Sequence, residues 1–331
     1  MKSLSTTAPL REGFANAKSK LRIVLTVVVA LLFLLVPVYS AQVGDTYALT
    51  FFGRILVFAL AAVGLNFALG YGGLVSFGHA MYVGLGAYTM AILSHHGVES
   101  GIIHLLAVGV VTLVVAVPVG LISLRTNGIA FIMITLAFAQ MLFYIFVGLT
   151  QYGGDEGMTI EQLSGFGDLT ANKTALYLSM MATLGIALVI FRRVINSRFG
   201  LVFRATRFNE RRVRAVGTAP LGYRLVGYIM SAELCALAGY FLANLTAFAS
   251  PAYMAWTLSG ELIMMVLLGG AGTLVGPVIG AALFLLMEEG LKSLTEHWMI
   301  IMGPTIILIV LFLRNGIWGL ISDDPVSKGE H

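Results

Sequence analysis

One basic stretch in an oily chain constrains everything else. Residues 192–217, RRVINSRFGLVFRATRFNERRVRAVG, hold eight of the fourteen arginines: Arg192, Arg193, Arg198, Arg204, Arg207, Arg211, Arg212 and Arg214. Lys and Arg beside membrane spans stay on the cytoplasmic side, so this arginine segment reads as a cytoplasmic loop. As a helix it would put Arg204, Arg207, Arg211 and Arg214 on one stripe and Val202, Ala205, Val213 and Val216 opposite. Gly200 and Gly217 read as breaks. Asn209-Glu210 reads as an N-cap followed by a first-turn acid, which would divide the stretch into two short helices. Three roles fit: a solvated loop that sets topology, an interfacial helix on anionic lipid, or a docking element for a cytoplasmic partner.

The rest of the chain supports a membrane setting. Of 331 residues, 58% are hydrophobic and 11% charged, with mean hydropathy +0.92, whereas a soluble domain is about a quarter charged. The fold class is all-α polytopic, and the bilayer is its main solvent. The net charge of +4 sits in loops and implies no nucleic acid. Glycine is abundant (38 residues), as close helix packing in lipid requires. The single cysteine, Cys235, cannot form an internal disulfide and reads as a small core residue.

Three domains are expected: a cytoplasmic segment 1–22, a transmembrane domain 23–315, and a charged cytoplasmic tail 316–331. The run 23–39 reads as an uncleaved first span, being long for a signal-peptide core; cleavage near Val38-Tyr39-Ser40 is the alternative. Further runs cover 51–69, a span ending near Leu93, then 102–124, 129–149, 175–191, 221–245, 261–268, 278–290 and 299–313. About ten transmembrane helices place both termini on the side of the arginine segment. The eighth and ninth are short, so fewer full spans with re-entrant pieces also fit. Pro118 marks a kink in the fourth.

Two charge-free glycine breaks interrupt the apolar pattern, GYGGLVSFG (70–78) and GGAGTLVGP (269–277). Such paired interruptions suit an internal repeat flanking a transport path, or simple small-residue packing. The outer loop 151–173 is acidic, with Asp155, Glu156, Glu161 and Asp168 against Lys173. His95-His96 falls in a solvated turn.

Enzyme chemistry is missing from the sequence. There is no G-x-x-x-x-G-K-[ST], no H-E-x-x-H, no G-x-S-x-G and no Cys/His metal spacing. Few ionisable residues enter the apolar runs: Arg54, His79, His104, Glu233, Glu261 and Glu288-Glu289. Each charge at mid-depth costs about 2.5–3.5 kcal/mol. Arg54, His104 and Glu288-Glu289 lie near span ends and are expected to snorkel. Glu261 reads as a first-turn carboxylate, and Asn66 and Gln140 as interhelical hydrogen-bonding groups. A proton-coupled carrier would want more mid-depth acids, so energy is expected to come from outside the chain.

The chain resembles the membrane subunit of a branched-chain amino acid ABC importer, of the LivM permease type. The resemblance covers residues 50–320 and is carried by GLVSFGHAMYVGLGAY (73–88), GIAFIMITLAFAQM (128–141), YGGDEGM (152–158), SRFGLVFRATRFNERRVRAVG (197–217) and LSGELIMMVLLGGAGTLVGPVIGA (258–281). It implies an ABC importer permease fold in a bacterial inner membrane. It also implies a second, LivH-like permease, two cytoplasmic ATPases (LivG- and LivF-like) that bind ATP and Mg, and a periplasmic solute-binding protein. No cofactor is implied in this chain. Residues 197–217 would be the ATPase-coupling element, with Arg198, Phe199, Arg204, Arg207, Asn209, Glu210, Arg211, Arg214 and Gly217 at the contact. Glu210 and Ala215-Val216-Gly217 fit the E-A-A…G coupling pattern, and Arg211-Arg212 replace its alanines. Asn66, Gly72, Gly73, Gln140, Glu261, Gly269 and Gly270 would line the path, and Asp155 and Glu156 would meet the binding protein. Related permeases carry urea or short amides, and a stand-alone channel or secondary carrier is the reading from another class.

Overall fold

The computed structural model describes residues 28–29, 31–40, 46–165, 173–312 and 316–321; the 1–22 segment, the start of the first span, Asp168 and residues 322–331 lie outside them. The described chain is a helical bundle. In order come α1 (Leu31–Ser40), α2 (Thr46–Asn66) with a π-turn (Phe67–Tyr71), α3 (His79–His95), α4 (Gly101–Ser123) and α5 (Ile129–Gly148). Then follow α6 (Lys173–Ile195), α7 (Arg198–Phe208), α8 (Glu210–Ala215), α9 (Pro220–Thr246), α10 (Trp256–Gly269), α11 (Gly276–Leu294), α12 (Trp298–Phe312) and α13 (Gly316–Ile321).

Each expected apolar run meets a helix, and among the described residues five are long and apolar enough to cross a bilayer: α2 with its π-turn, α4, α5, α6 and α9. Their burial separates core from rim. Within the protein, 72% of the α2 window and 67% of the α9 window are buried, against 28% for α4, 22% for α5 and 33% for α6. So α2 and α9 form the centre, and α4 to α6 turn apolar side chains outward, as lipid allows.

Small residues let the central helices touch. A Cβ at Gly86 of α3 would run into the Ala236 carbonyl of α9, and one at Gly239 of α9 into the Val83 carbonyl of α3. Such backbone approach is how helices associate where no hydrophobic drive exists between them. Cys235 is fully buried where α9 meets α2, its Sγ 3.5 Å from the Ala61 carbonyl oxygen. Proline opens α9 and lies in the first turn of α11, where a missing N–H costs nothing. α10, at 14 residues, rises only about 21 Å, short of a hydrocarbon core of about 30 Å.

At one end of the bundle the described part of the acidic loop, 151–165, is pinned. β1 (Met158–Thr159) pairs antiparallel with β2 (Phe248–Ala249), Met158 opposite Ala249. His104 is buried, bonded to Ser164 Oγ and the Val98 carbonyl, each at 2.8 Å. It therefore ties two loops together instead of snorkelling. Glu288 departs from the snorkelling expectation in the same way: it is buried and accepts from the partly exposed Arg54 (3.4 Å) and from Lys292 (2.5 Å). An ion pair removes the need to reach water.

Candidate functional site

The opposite end carries the arginine segment, and there the two glycine breaks meet. Asn66, the last residue of α2, is 2% exposed. Its Nδ2 donates to the Thr273 carbonyl (2.7 Å) and its Oδ1 accepts from the Gly272 N–H (2.8 Å). One side chain thus clamps the second break to the first. The backbones are in contact as well: a Cβ at Gly70 would strike Gly272 N and Asn66 Oδ1. Since α2 and α10 both run into this junction, the two breaks lie side by side at one end of the bundle.

The arginine segment folds against the same point. Ser197 Oγ accepts from Gly200 N, and Asn209 Oδ1 accepts from Arg212 N (3.1 Å), so α7 and α8 are separately capped helices. The N-cap expected at Asn209 is present, and the continuous four-arginine stripe is divided by it. Gly200 is not a break: it sits buried in the first turn of α7, where a Cβ would strike the carbonyls of Val194 and Ile195. Chain reversal happens at Ser197 instead. Nor does α7 bury Val202 and Ala205 most deeply; its buried face is Phe203 and Thr206. Phe203 stacks on Phe67 of the π-turn at 5.2 Å, and Gly72 has no room for a side chain because the Phe203 ring is there.

Arg207 is exposed along its length yet bends its guanidinium onto the bundle. Its Nη1 donates to the Gly70 carbonyl in the first break. Gly73, at φ +68°, lies under the Arg207 stem, where an added Cβ would stand 2.7 Å from Cγ. α8 is anchored by Glu210, which accepts from Arg214 (2.5 Å) on its own helix and from Arg224 of α9 (3.1 Å). Arg224 is 7% exposed and also donates to Asn127 Oδ1 in the α4–α5 turn (3.1 Å). Between these groups, Gly72-Gly73 and the start of α5 lies a cavity of about 150 Å³. Away from this packed side, Arg211, Arg212, Leu201, Phe208 and Val216 are exposed, Val216 at 84%.

The remaining candidates scatter. Gly72 and Gly73 line the cavity. Gly269 and Gly270 pack the second break against Gly276 and Gly316, and residues 316–321, the start of the expected charged tail, form α13 on that contact with Trp318 buried. Gln140 is half-buried on α5, eleven residues beyond Ile129 and so about 16 Å along the helix. Glu261 lies in the second turn of α10, which starts at Trp256, and faces the Glu288, Arg54 and Lys292 cluster at the far end. Arg198, Phe199 and Arg204 belong to α7 and Gly217 (φ +83°) closes α8. Asp155 and Glu156 are exposed in a turn framed by Gly153, Gly154 and Gly157, all at positive φ.

Sequence reasoning passed over Arg224 and a buried polar knot behind the first break. His79, the first residue of α3, is fully buried with Nε2 2.8 Å from Ser231 Oγ of α9. Ser231 spends its proton on the Gly64 carbonyl (2.6 Å), so His79 donates from Nε2. Tyr82 donates to Tyr228 (3.1 Å), and Ser259 of α10 accepts the Ala80 N–H (2.9 Å). The motif GLVSFGHAMY carried half of this knot; its partners sit 146 to 179 residues away.

Comparison with known proteins agrees with a permease. Residues 47–310 match the family described as branched-chain amino acid transport system / permease component. The high-affinity branched-chain amino acid transport system permease protein LivM of Salmonella typhimurium is 23% identical over 287 residues, covering 79% of this chain and 68% of that protein. The protein of the same name in Escherichia coli is 24% identical over 288 residues, with the same shares. No solved structure matches.

Proposed function

Because this chain belongs to the branched-chain amino acid transport permease family, we propose that it is the permease subunit of an ATP-driven importer whose α7–α8 ledge takes work from a separate ATPase. The observation that carries this reading is the double-sided ledge. One side is exposed, basic and apolar; the other reaches the first glycine break through Arg207 and Phe203. A force on the exposed side moves Gly70, and through Asn66 the second break moves with it. Packed elements of this kind transmit displacement because they switch between discrete arrangements and do not stretch.

On this reading the ledge and both termini are cytoplasmic in a bacterial inner membrane, as the positive-inside rule favours. Two ATPases hold ATP and Mg, a second permease completes the membrane unit, and a periplasmic binding protein delivers branched-chain or related amino acids. The framed turn at Asp155-Glu156 suits that last contact, since charged rims steer encounter. The test is reconstitution of the full complex in liposomes. Arg211→Glu with Arg212→Glu should abolish ATP-dependent uptake of labelled leucine and release the ATPases on purification, with insertion intact. Normal uptake in that variant would remove the ledge from the docking surface.

A further inference from the structure

The cavity beside the ledge is lined by one acid, and that acid is already spent. Glu210 Oε2 accepts from Arg224 at 3.1 Å and its Oε1 from Arg214 at 2.5 Å. The donors around the cavity are not spent. Both hydrogen bonds of the buried Arg224 leave Nη1, and its Nε and Nη2 have no acceptor among the described residues. Among the same residues Arg207 is hydrogen-bonded through Nη1 alone, to the Gly70 carbonyl. Asn127 turns its oxygen to Arg224, which can only donate, so the Asn127 Nδ2 hydrogens are left over. The first N–H groups of α5, Ile129 to Phe131, follow Gly128 with no side-chain cap and no backbone acceptor among the described residues. Two guanidinium groups, an amide and a bare helix N-terminus around one cavity suit a compact anion with several oxygens and no proton to donate.

We infer that this cavity is a binding site for the phosphate group of an anionic phospholipid, drawn from the leaflet at the arginine end. The inference rests on the cytoplasmic placement of the ledge given above and is independent of which solute is carried. The volume of about 150 Å³ is roughly ten times what a single water needs, room for a phosphate and the first atoms of its ester. The surroundings select a lipid as the source. The remaining wall is Val75, Phe131 and Ile132, and Ile129 and Met133 on the same two turns of α5 are exposed. A headgroup in the cavity lays its acyl chains along that apolar strip, which a free phosphate leaves uncovered. The cytoplasmic leaflet is also the anionic one, and basic pockets between spans on that side take such headgroups. Arg207 belongs to α7 and Arg224 holds Glu210 of α8, so a phosphate on both arginines ties the ledge to the start of α5. Occupancy and the position of the ledge are then linked, each changing the other by the same free energy.

The experiment uses the full complex in an uncharged detergent, carrying Val75→Cys. Val75 is exposed on the cavity wall, and the chain's own Cys235 is buried. N-ethylmaleimide labelling of this chain is timed against a concentration series of dihexanoyl phosphatidylglycerol, inorganic phosphate or dihexanoyl glycerol. The phospholipid should slow labelling saturably, and the other two should not. Arg224→Gln should raise the half-protecting concentration by about tenfold, the scale of one hydrogen bond to a charged group. Asn127→Asp keeps the oxygen that accepts from Arg224 and replaces the free amide with a second oxygen. It lies in an exposed turn, should abolish protection, and decides the matter where Arg224→Gln fails to fold. Absent protection, equal protection by dihexanoyl glycerol, or protection that survives Asn127→Asp would overturn the site. Equal protection by inorganic phosphate would overturn its lipid source. ATP-dependent leucine uptake by the same complex in liposomes separates the two ideas. Uptake without protection sinks the site and spares the transport reading; protection without uptake does the reverse.

Discussion

Removing the Asn66 clamp should be among the costliest changes of a single polar side chain in this chain. Asn66→Ala deletes one donor and one acceptor and leaves the part-buried Gly272 N–H and the buried Thr273 carbonyl without their partner. Each orphaned buried group costs about 1–3 kcal/mol. Two give about 2–6 kcal/mol, and water entering from the adjacent cavity would bring the value toward about 3. Asn66→Asp sharpens the test. A neutral carboxyl can donate to Thr273 and accept from Gly272 as the amide does, whereas an ionised one repels the carbonyl. That variant should approach the parent as pH falls and separate from it as pH rises. Unfolding of the purified protein by SDS titration in bicelles, followed by tryptophan fluorescence across pH, measures both. A loss below about 0.5 kcal/mol for Asn66→Ala, the range of an unimportant surface change, would refute the clamp. So would an Asn66→Asp variant indifferent to pH.

Other outcomes can be checked alongside. Arg207→Met should cut uptake by about 5- to 150-fold, the usual span of a lost coupling, while the ATPases still co-purify; loss of co-purification would make Arg207 an outward contact. Gly73→Ala should cost about 1–2 kcal/mol in backbone strain plus the clash with Arg207, whereas Gly97→Ala, also at positive φ but in open space, should cost the strain alone; equal losses in thermal stability would contradict the packing under Arg207. Asp155→Lys with Glu156→Lys should lower binding-protein stimulation of ATP hydrolysis and reverse its salt dependence; unchanged stimulation would take the turn out of the docking surface.

Much of the architecture was legible because lipid imposes long apolar runs, and each expected run meets a helix. Local chemistry was legible too: the Asn209 cap needs only its own next three residues. What could not be read were pairings set by packing. Nothing near Asn66 in sequence announces Thr273, 207 residues on. Arg224 carries no signal of its own in the sequence, yet burial binds it to Glu210 and Asn127. Gly200 shows the limit of reading glycine as punctuation: it permits a close corner between α6 and α7, and the break falls three residues earlier at Ser197. Arg207 was grouped with outward arginines by helical spacing alone, whereas the π-turn brings a bare carbonyl within its reach.

The central claim is that the α7–α8 ledge joins an external motor to the glycine breaks. A photo-crosslinker at Val216, 84% exposed on that ledge, tests it most directly in the intact complex within membranes. The account predicts an adduct to an ATPase subunit whose yield changes when nucleotide is trapped. Adducts only to lipid or to an extracytoplasmic partner would contradict it.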